Sequence, residues 1–389
     1  MLLVAALAVV AVAPTTTRPG RVVIGSTTTV PLAVEAAITA PAVEAQPSCV
    51  PASLDERAGR VLIVGLPETT SPEDPLVAEV SEIGVGGVLL THANVESAEQ
   101  VQDLVSSLRT AVRDDLLVSV DEEPGRVRTF EDLIGFVPSA RRLAAENPVE
   151  AVEETARATG QVLTYLDVDM NLAPVADLDA GPWDGIIGDR SFSPDPGTAA
   201  QYVLAYARGL RDAGVTPVVK HFPGHGRTAG DDHVSAPEID ASLDVLMATD
   251  VHPFRDAVVA GAPVVMMGNV SYDALEADVP ASLSEPAYRL LRDLGFRGAA
   301  ITDSIGMAAV NLRWNYGDAT VKALGAGADG VLGTDGWSAR WMRDAVVDAV
   351  RSGDLPESRL NEAAARMTAL AGGDPQQVAC VAASLPVLR

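Results

Sequence analysis

The sequence predicts an α/β fold of the (β/α)8 class, a TIM-type barrel in a single catalytic domain, and three observations carry that reading. Eight short runs rich in Val, Ile and Leu recur between residues 61 and 333. Most of them are near-continuously apolar, as strands buried on both faces must be. Amphipathic stretches fill the gaps between the runs, and eight such units fit the roughly 250 residues that a barrel of this kind typically needs. Spacing alone does not close a sheet, so a doubly wound open sheet is the alternative.

The elements follow in order. Leu2 to Ala13 is an apolar run of signal-peptide length, short for a membrane span, and Ala11-Val12-Ala13 resembles a small-residue cleavage site. No Lys or Arg precedes the run, and Pro14 would follow the cut. Residues 1–13 are therefore read as a signal peptide or anchor, and the protein as secreted or attached to the cell envelope. With no Cys close behind, a lipid anchor is not indicated. Residues 14–48 are rich in Thr, Ala, Val and Pro without a period, which reads as a poorly ordered linker arm. The barrel domain is assigned to residues 49–380, and residues 381–389 to a C-terminal tail. The expected strands are Val61–Leu66, Gly87–Leu90, Leu116–Val120, Met170–Val175, Val215–His221, Pro263–Met267, Ala299–Thr302 and Gly330–Gly333. Ala98–Arg113 carries Val101, Leu104, Val105 and Leu108 at helical spacing, and Ala199–Ala213 and Arg340–Ser352 read in the same way.

Composition narrows the functional classes. Apolar residues make up 48% of the 389 positions but aromatics only 4%, so the core is aliphatic. A formal net charge of −25 repels nucleic acid and anionic membranes and suits a neutral or weakly charged substrate. Cys49 and Cys380 belong to no CxxC or Cys/His cluster, so no structural zinc is expected. They flank the predicted domain. In an exported protein a disulfide between them is expected; the alternative is two unrelated thiols.

The polar groups fall where a barrel places its chemistry, at the C-terminal ends of strands. Asp121 and Glu122 follow the third strand, Asp177 the fourth and Asp335 the eighth, while Lys220-His221, Asn269 and Asp303 end the fifth, sixth and seventh. Three of the five histidines lie in Val218–His233, VVKHFPGHGRTAGDDH, beside Pro and Gly that fix a loop path. Each candidate has a plainer reading. Asp303, in AAITDSIGM, is a nucleophile, a metal ligand or a helix N-cap. Asp231 and His233 form an acid/base pair or a surface turn of an acidic protein. Asp121, in DEEPGR, offers a carboxylate to ligand hydroxyls or caps a solvated turn. Arg190, in IIGDRSFSPDP, clamps a ligand or pairs with Asp189 or Asp195 to hold its loop. His221 and His225 lack the spacing of a metal site, and no phosphate-loop or dinucleotide glycine motif is present, so neither a metal nor a nucleotide cofactor is expected.

Taken together, DEEPGRV, NLAPVADL, IGDRSFSPDP, KHFPGHG with DDH, PASLS and ITDSIGM resemble glycoside hydrolase family 3, in its single-domain β-N-acetylhexosaminidase branch. The resemblance spans roughly residues 60–372. It implies a barrel, no cofactor, and retaining hydrolysis of a terminal β-linked N-acetylglucosamine from cell-wall muropeptides or chitin-type fragments. It makes Asp303 the nucleophile and His233 the acid/base with Asp231 as its partner, a departure from the usual pair of carboxylates. It places Asp121, Arg126, Arg190, Lys220, His221 and Asn269 on the sugar, with Met307 packing beside the site. Three positions depart from the family pattern. Pro124-Gly125 stands where Gly-Gly is common, Asn269 where His is common, and Arg227 where an acidic residue is common. The partner expected is a small carbohydrate, with cell-wall or membrane-surface association through the N-terminus and a monomer favoured. The competing readings are a family-3 β-glucosidase, an N-acetylglucosaminide phosphorylase, and a sugar-binding homologue without catalysis.

Overall fold

A computed structural model describes residues 49–228, 231 and 233–389. The expected signal peptide or anchor of residues 1–13 and the arm of residues 14–48 lie outside the described residues. Residues from Cys49 to Arg389 form one compact unit.

The strands are β1 (Leu62–Gly65), β2 (Gly87–Leu90), β3 (Leu117–Val120), β4 (Met170–Asn171), β5 (Thr216–Phe222), β6 (Glu238–Ile239), β7 (Val264–Met267), β8 (Ser271–Tyr272), β9 (Glu276–Pro280), β10 (Ala299–Thr302) and β11 (Val331–Gly333). Eight of them form one parallel sheet in the order β10-β7-β5-β4-β3-β2-β1-β11. Its two ends meet through a parallel bridge between Ile301 and Gly330, reinforced by Thr302 N–H donating to the Gly330 carbonyl at 3.0 Å. That contact decides between the two expected topologies. The sheet closes into a (β/α)8 barrel, and each of the eight predicted runs supplies one strand.

The near-continuous apolar runs have a simple origin. Successive side chains on a strand point to opposite faces. Ile63, Leu89, Leu117, Val218, Val264, Met266, Ile301 and Leu332 fill the barrel interior. Their neighbours Leu62, Val64, Val88, Leu90, Val118, Val219, Val265 and Val331 pack outward against the helices. Both faces are dry, so both parities must be apolar. Each fully buried side chain of this size contributes about 1.5–3 kcal/mol relative to exposure.

Helix Ala98–Ala111 buries Val101, Leu104, Val105 and Leu108, the stripe read from its spacing, and Ser97 caps its N-terminus. The longest helices among the described residues, Val149–Tyr165 and Pro196–Asp212, pack on one another, and Asp195 caps the second through Thr198 N–H at 2.8 Å. At the end of the barrel opposite the strand C-termini, Met367 of helix Glu357–Leu370 enters the interior cluster, with Leu370 and Leu385 packed beneath it. Residues 381–389 run along this floor, where Arg389 N–H donates to the Ala260 carbonyl at 2.8 Å and Arg211 Nη1 to the Leu388 carbonyl at 2.6 Å. Cys49 and Cys380 are joined by a disulfide that ties the start of the unit to its last helix. Among the described residues no helix is long and apolar enough to cross a membrane. The remaining strands, β6, β8 and β9, form a small sheet beside the segment that follows β5.

Candidate active site

The strand C-termini surround a cavity of about 590 Å³. Leu89, Leu172, Met266 and Leu332, the top of the barrel interior, line its apolar wall. Asp121, Arg126, Arg190, Lys220, His221, Asp231, His233 and Asp303, each a site residue expected from sequence, also line it. These side chains come from positions up to 182 apart in sequence, and closure of the sheet brings them to one mouth.

Asp303 follows β10. Its backbone N–H donates to the Met267 carbonyl at 2.8 Å, and its Oδ1 accepts from Ser304 N–H at 2.7 Å. The side chain is buried at 6% exposure. The next helix, Ala308–Asn311, begins five residues later with Met307 at its N-cap position, so Asp303 is not a helix cap. Asp335 is: its side chain accepts from Trp337 N–H and opens the short helix Gly336–Ser338.

On the opposite wall lies a charge network whose centre sequence reasoning missed. Glu123 has a side chain only 1% exposed. Its carboxylate accepts from Arg190 Nε and Nη2, both at 2.8 Å, and pairs with Lys220 Nζ at 2.7 Å. Lys220 Nζ also donates to Asp121. Burial alone would raise the Glu123 pKa, but the charges of Arg190 and Lys220 outweigh it and hold the carboxyl well below its usual range. Burial likewise opposes the charge on Lys220, and Asp121 with Glu123 overcomes it, raising the ammonium's pKa. One carboxylate thus holds two cations together at the cavity wall. Arg190 is committed to Glu123, rather than to Asp189 or Asp195. The signal for Glu123 was its place between Asp121 and Arg126; its burial could not be read from composition.

The loop from β3 folds back on itself, with Arg128 Nε donating to Glu122 Oε1 at 2.6 Å and Phe130 N–H to Glu122 Oε2 at 2.7 Å. Gly125, at the turn, has φ +101° and sits where a Cβ would lie 2.9 Å from Ser139 Cα. The Pro124-Gly125 departure therefore keeps the glycine that the backbone needs. Arg126 lines the cavity but gives its donors to the carbonyls of Trp183, Ile186 and Ile187 at 3.0–3.2 Å. It anchors the loop covering the mouth.

The β5 loop is built around a second buried carboxylate. Asp177 Oδ1 accepts from His225 N–H at 2.7 Å and His221 N–H at 3.2 Å, and Oδ2 meets His221 Nδ1 at 2.7 Å. Burial opposes its ionisation, but the facing His221 and the hydrogen bonds win, and its pKa is lowered. An ionised Asp177 only accepts, so His221 Nδ1 carries the proton and Nε2 is left for the cavity. The following turn is tightly fitted. A Cβ on Gly226 would stand 1.8 Å from the Leu178 carbonyl oxygen. Arg227, the third departure, donates through Nε to Asp250 Oδ2 at 2.7 Å. Tyr272 of β8 donates to the Gly224 carbonyl at 2.8 Å.

His233 and Asp231 line the same cavity as Asp303. The Asp231 carboxylate meets the backbone N–H of His233, at 2.9 Å, rather than the imidazole expected from the pairing. The physical reason is proximity: a carboxylate two residues back closes a local turn onto that N–H without ordering the ring. Asn269 is the expected sugar contact that the cavity does not include. It is 1% exposed, and its amide is consumed inside the protein by Ser304 and Ser282.

The family model described as the glycosyl hydrolase family 3 N terminal domain matches residues 53–370. The β-hexosaminidase LpqI of Mycobacterium tuberculosis is 37% identical over 356 residues, covering 87% of this chain and 88% of that protein. A β-hexosaminidase of Haemophilus influenzae is 34% identical over 255 residues, covering 64% of this chain and 72% of that one. Among solved structures, a family 3 β-N-acetylglucosaminidase from Paenibacillus sp. superposes with a TM-score of 0.79 at 30% identity, over 86% of this chain, which spans 65% of that protein's length. The structure of M. tuberculosis LpqI gives 0.76 at 36% identity, covering 84% and 98% of the two chains. The extent of the family match and the identity across nearly the whole of a relative lead to one conclusion: the chain belongs to glycosyl hydrolase family 3.

Proposed function

We propose that the protein is a retaining exo-β-N-acetylglucosaminidase that removes terminal β-linked N-acetylglucosamine from cell-wall muropeptides or chitin-type fragments. The observation that carries this reading is one cavity, at the strand C-termini, lined by both Asp303 and His233 and walled by Lys220, Arg190 and His221. The names of the two relatives, both β-hexosaminidases, support a β-linked hexosamine as the substrate class.

In the first step an Asp303 carboxylate oxygen attacks the anomeric carbon as its bond to the leaving oxygen breaks. Protonated His233 gives its proton to that oxygen. In the second step neutral His233 takes a proton from water, whose oxygen attacks the same carbon and releases Asp303. Asp231 sets the backbone of His233. Lys220, Asp121, Arg190 and His221 Nε2 hold the sugar hydroxyls, charge-assisted contacts that a neutral ligand satisfies. The Cys49–Cys380 disulfide supports an exported setting, where such bonds persist.

The test is turnover of an aryl β-N-acetylglucosaminide and an aryl β-glucoside, each with and without phosphate. The proposal expects hydrolysis of the first, and loss of kcat on the order of 10⁴-fold or more in Asp303→Ala. Turnover of the glucoside alone moves the assignment to a β-glucosidase, and a glycosyl phosphate product moves it to a phosphorylase. Full activity of Asp303→Ala removes the mechanism.

A further inference from the structure

Asn269 lies two residues past β7, the strand that pairs with β10, and Asp303 directly follows β10; Asn269 does not line the cavity and is held in a fully satisfied set of hydrogen bonds. Ser282 Oγ donates to Asn269 Oδ1 at 2.6 Å. The Ser304 carbonyl can only accept, so it fixes the nitrogen end of the amide, and Nδ2 donates to it at 2.8 Å. Ser304 is the residue whose N–H holds Asp303 Oδ1. It is gripped from its other side as well, by Thr334 Oγ1 at 3.2 Å from its hydroxyl, while the next N–H, of Ile305, donates to the Leu332 carbonyl at 2.9 Å. Ser282 is itself pinned. Its N–H donates to the Gly268 carbonyl at 2.9 Å, and its carbonyl accepts from Tyr288 Oη at 2.9 Å. Asn269, Ser282 and Ser304 are each 1% exposed or less, so no water competes for these bonds.

We infer that Ser282, Asn269 and Ser304 form a positioning relay that fixes the Asp303 carboxylate for attack. This explains why the PASLS segment, remote in sequence from every catalytic candidate, belongs to the site. It also changes the meaning of Asn269: a side chain here acts on the reacting carboxylate through Ser304 and leaves sugar affinity alone. Met307, which lines the cavity, takes the second Nδ2 proton at 3.5 Å to its sulfur and seals the relay from the substrate side. The inference rests on Asp303 being the nucleophile, and it holds for whichever sugar the enzyme accepts.

The test uses Ser282→Ala, Asn269→Leu and the double variant, assayed on the aryl glycoside that the wild-type protein turns over. Asn269→Leu is expected to lower kcat and the burst rate of aryl alcohol release about 30–100-fold, the penalty of a misplaced reacting group. Ser282→Ala is expected to lower both about 5-fold, as loss of one hydrogen bond does. KM stays within about 3-fold in each. In the Asn269→Leu background, Ser282→Ala should have no further effect on kcat, because the bond it removes is already gone. A rise in KM at constant kcat in either variant would show Asn269 touching sugar and overturn the relay. Independent, multiplicative losses would overturn it too. Should Asn269→Leu fail to fold, Ser282→Ala decides alone: wild-type kcat sinks the inference. Which aryl glycoside the wild type accepts tests the proposed activity separately.

Discussion

Replacing Glu123 by Gln tests the centre of the cavity wall. The substitution keeps shape and removes charge from a side chain that makes three contacts to cations at 2.7–2.8 Å. Hydrogen bonds to charged groups contribute about 1.5–3 kcal/mol each against about 0.5–1.5 for neutral ones, so three of them lose roughly 3 kcal/mol together. That agrees with the 3–5 kcal/mol typical of breaking a buried ion pair from one side, with Asp121 left to balance part of the Lys220 charge. In a unit of this size each kcal/mol shifts Tm by about 2 °C, so thermal unfolding at pH 7 should move down by about 6 °C. KM should rise roughly 10-fold, since Arg190 and Lys220 are no longer held at one spacing and 1.4 kcal/mol is a factor of ten. The pH dependence is the sharper readout. A depressed carboxyl contributes stability that is present above its unfolded value, about 4.3, and is lost as pH falls through the folded value. Wild-type Tm should therefore decline below about pH 4 more steeply than that of Glu123→Gln, and the gap between them should narrow. Parallel Tm curves with unchanged KM would refute the view that Glu123 organises the two cations.

Three further outcomes follow from the same geometry. Asp177→Asn should lower kcat/KM about 10–100-fold in steady-state assays, because one charged acceptor fixes His221 and the His225 backbone together. Gly226→Ala should lose more than about 10-fold in activity, since a Cβ 1.8 Å from the Leu178 carbonyl forces the loop base to move and small misplacements are amplified in rate, whereas Gly325→Ala, within helix Tyr316–Ala326 and in open space, should leave activity intact and raise Tm slightly. Cys49→Ser should lower stability by up to about 5 kcal/mol in denaturant titrations, given the 331-residue separation that the bond closes, with KM unchanged because neither cysteine lines the cavity.

The sequence by itself determined the barrel strands and the level at which the chemistry sits. Burial on both faces of a parallel strand forces both side-chain parities to be apolar, and that pattern is local, so it can be read one run at a time. Polar residues at the ends of those runs then mark one face of the sheet, and Asp121, Arg190, Lys220, His221, Asp231, His233 and Asp303 do line one cavity there. What only the tertiary structure decided was closure and partnership. The Ile301–Gly330 bridge joins residues whose pairing no local period encodes. Glu123 read as one more acidic residue of a turn until Arg190, 67 positions away, and Lys220 proved to share it. Asn269 read as a strand-end ligand, and Asp231 as the holder of an imidazole; a side chain's direction depends on what packs around it, and Ser282 with Ser304 turned the first inward while a local backbone N–H captured the second. Periodicity is a property of neighbours in the chain, but a hydrogen bond between buried groups is set by neighbours in space, and only the folded chain supplies those.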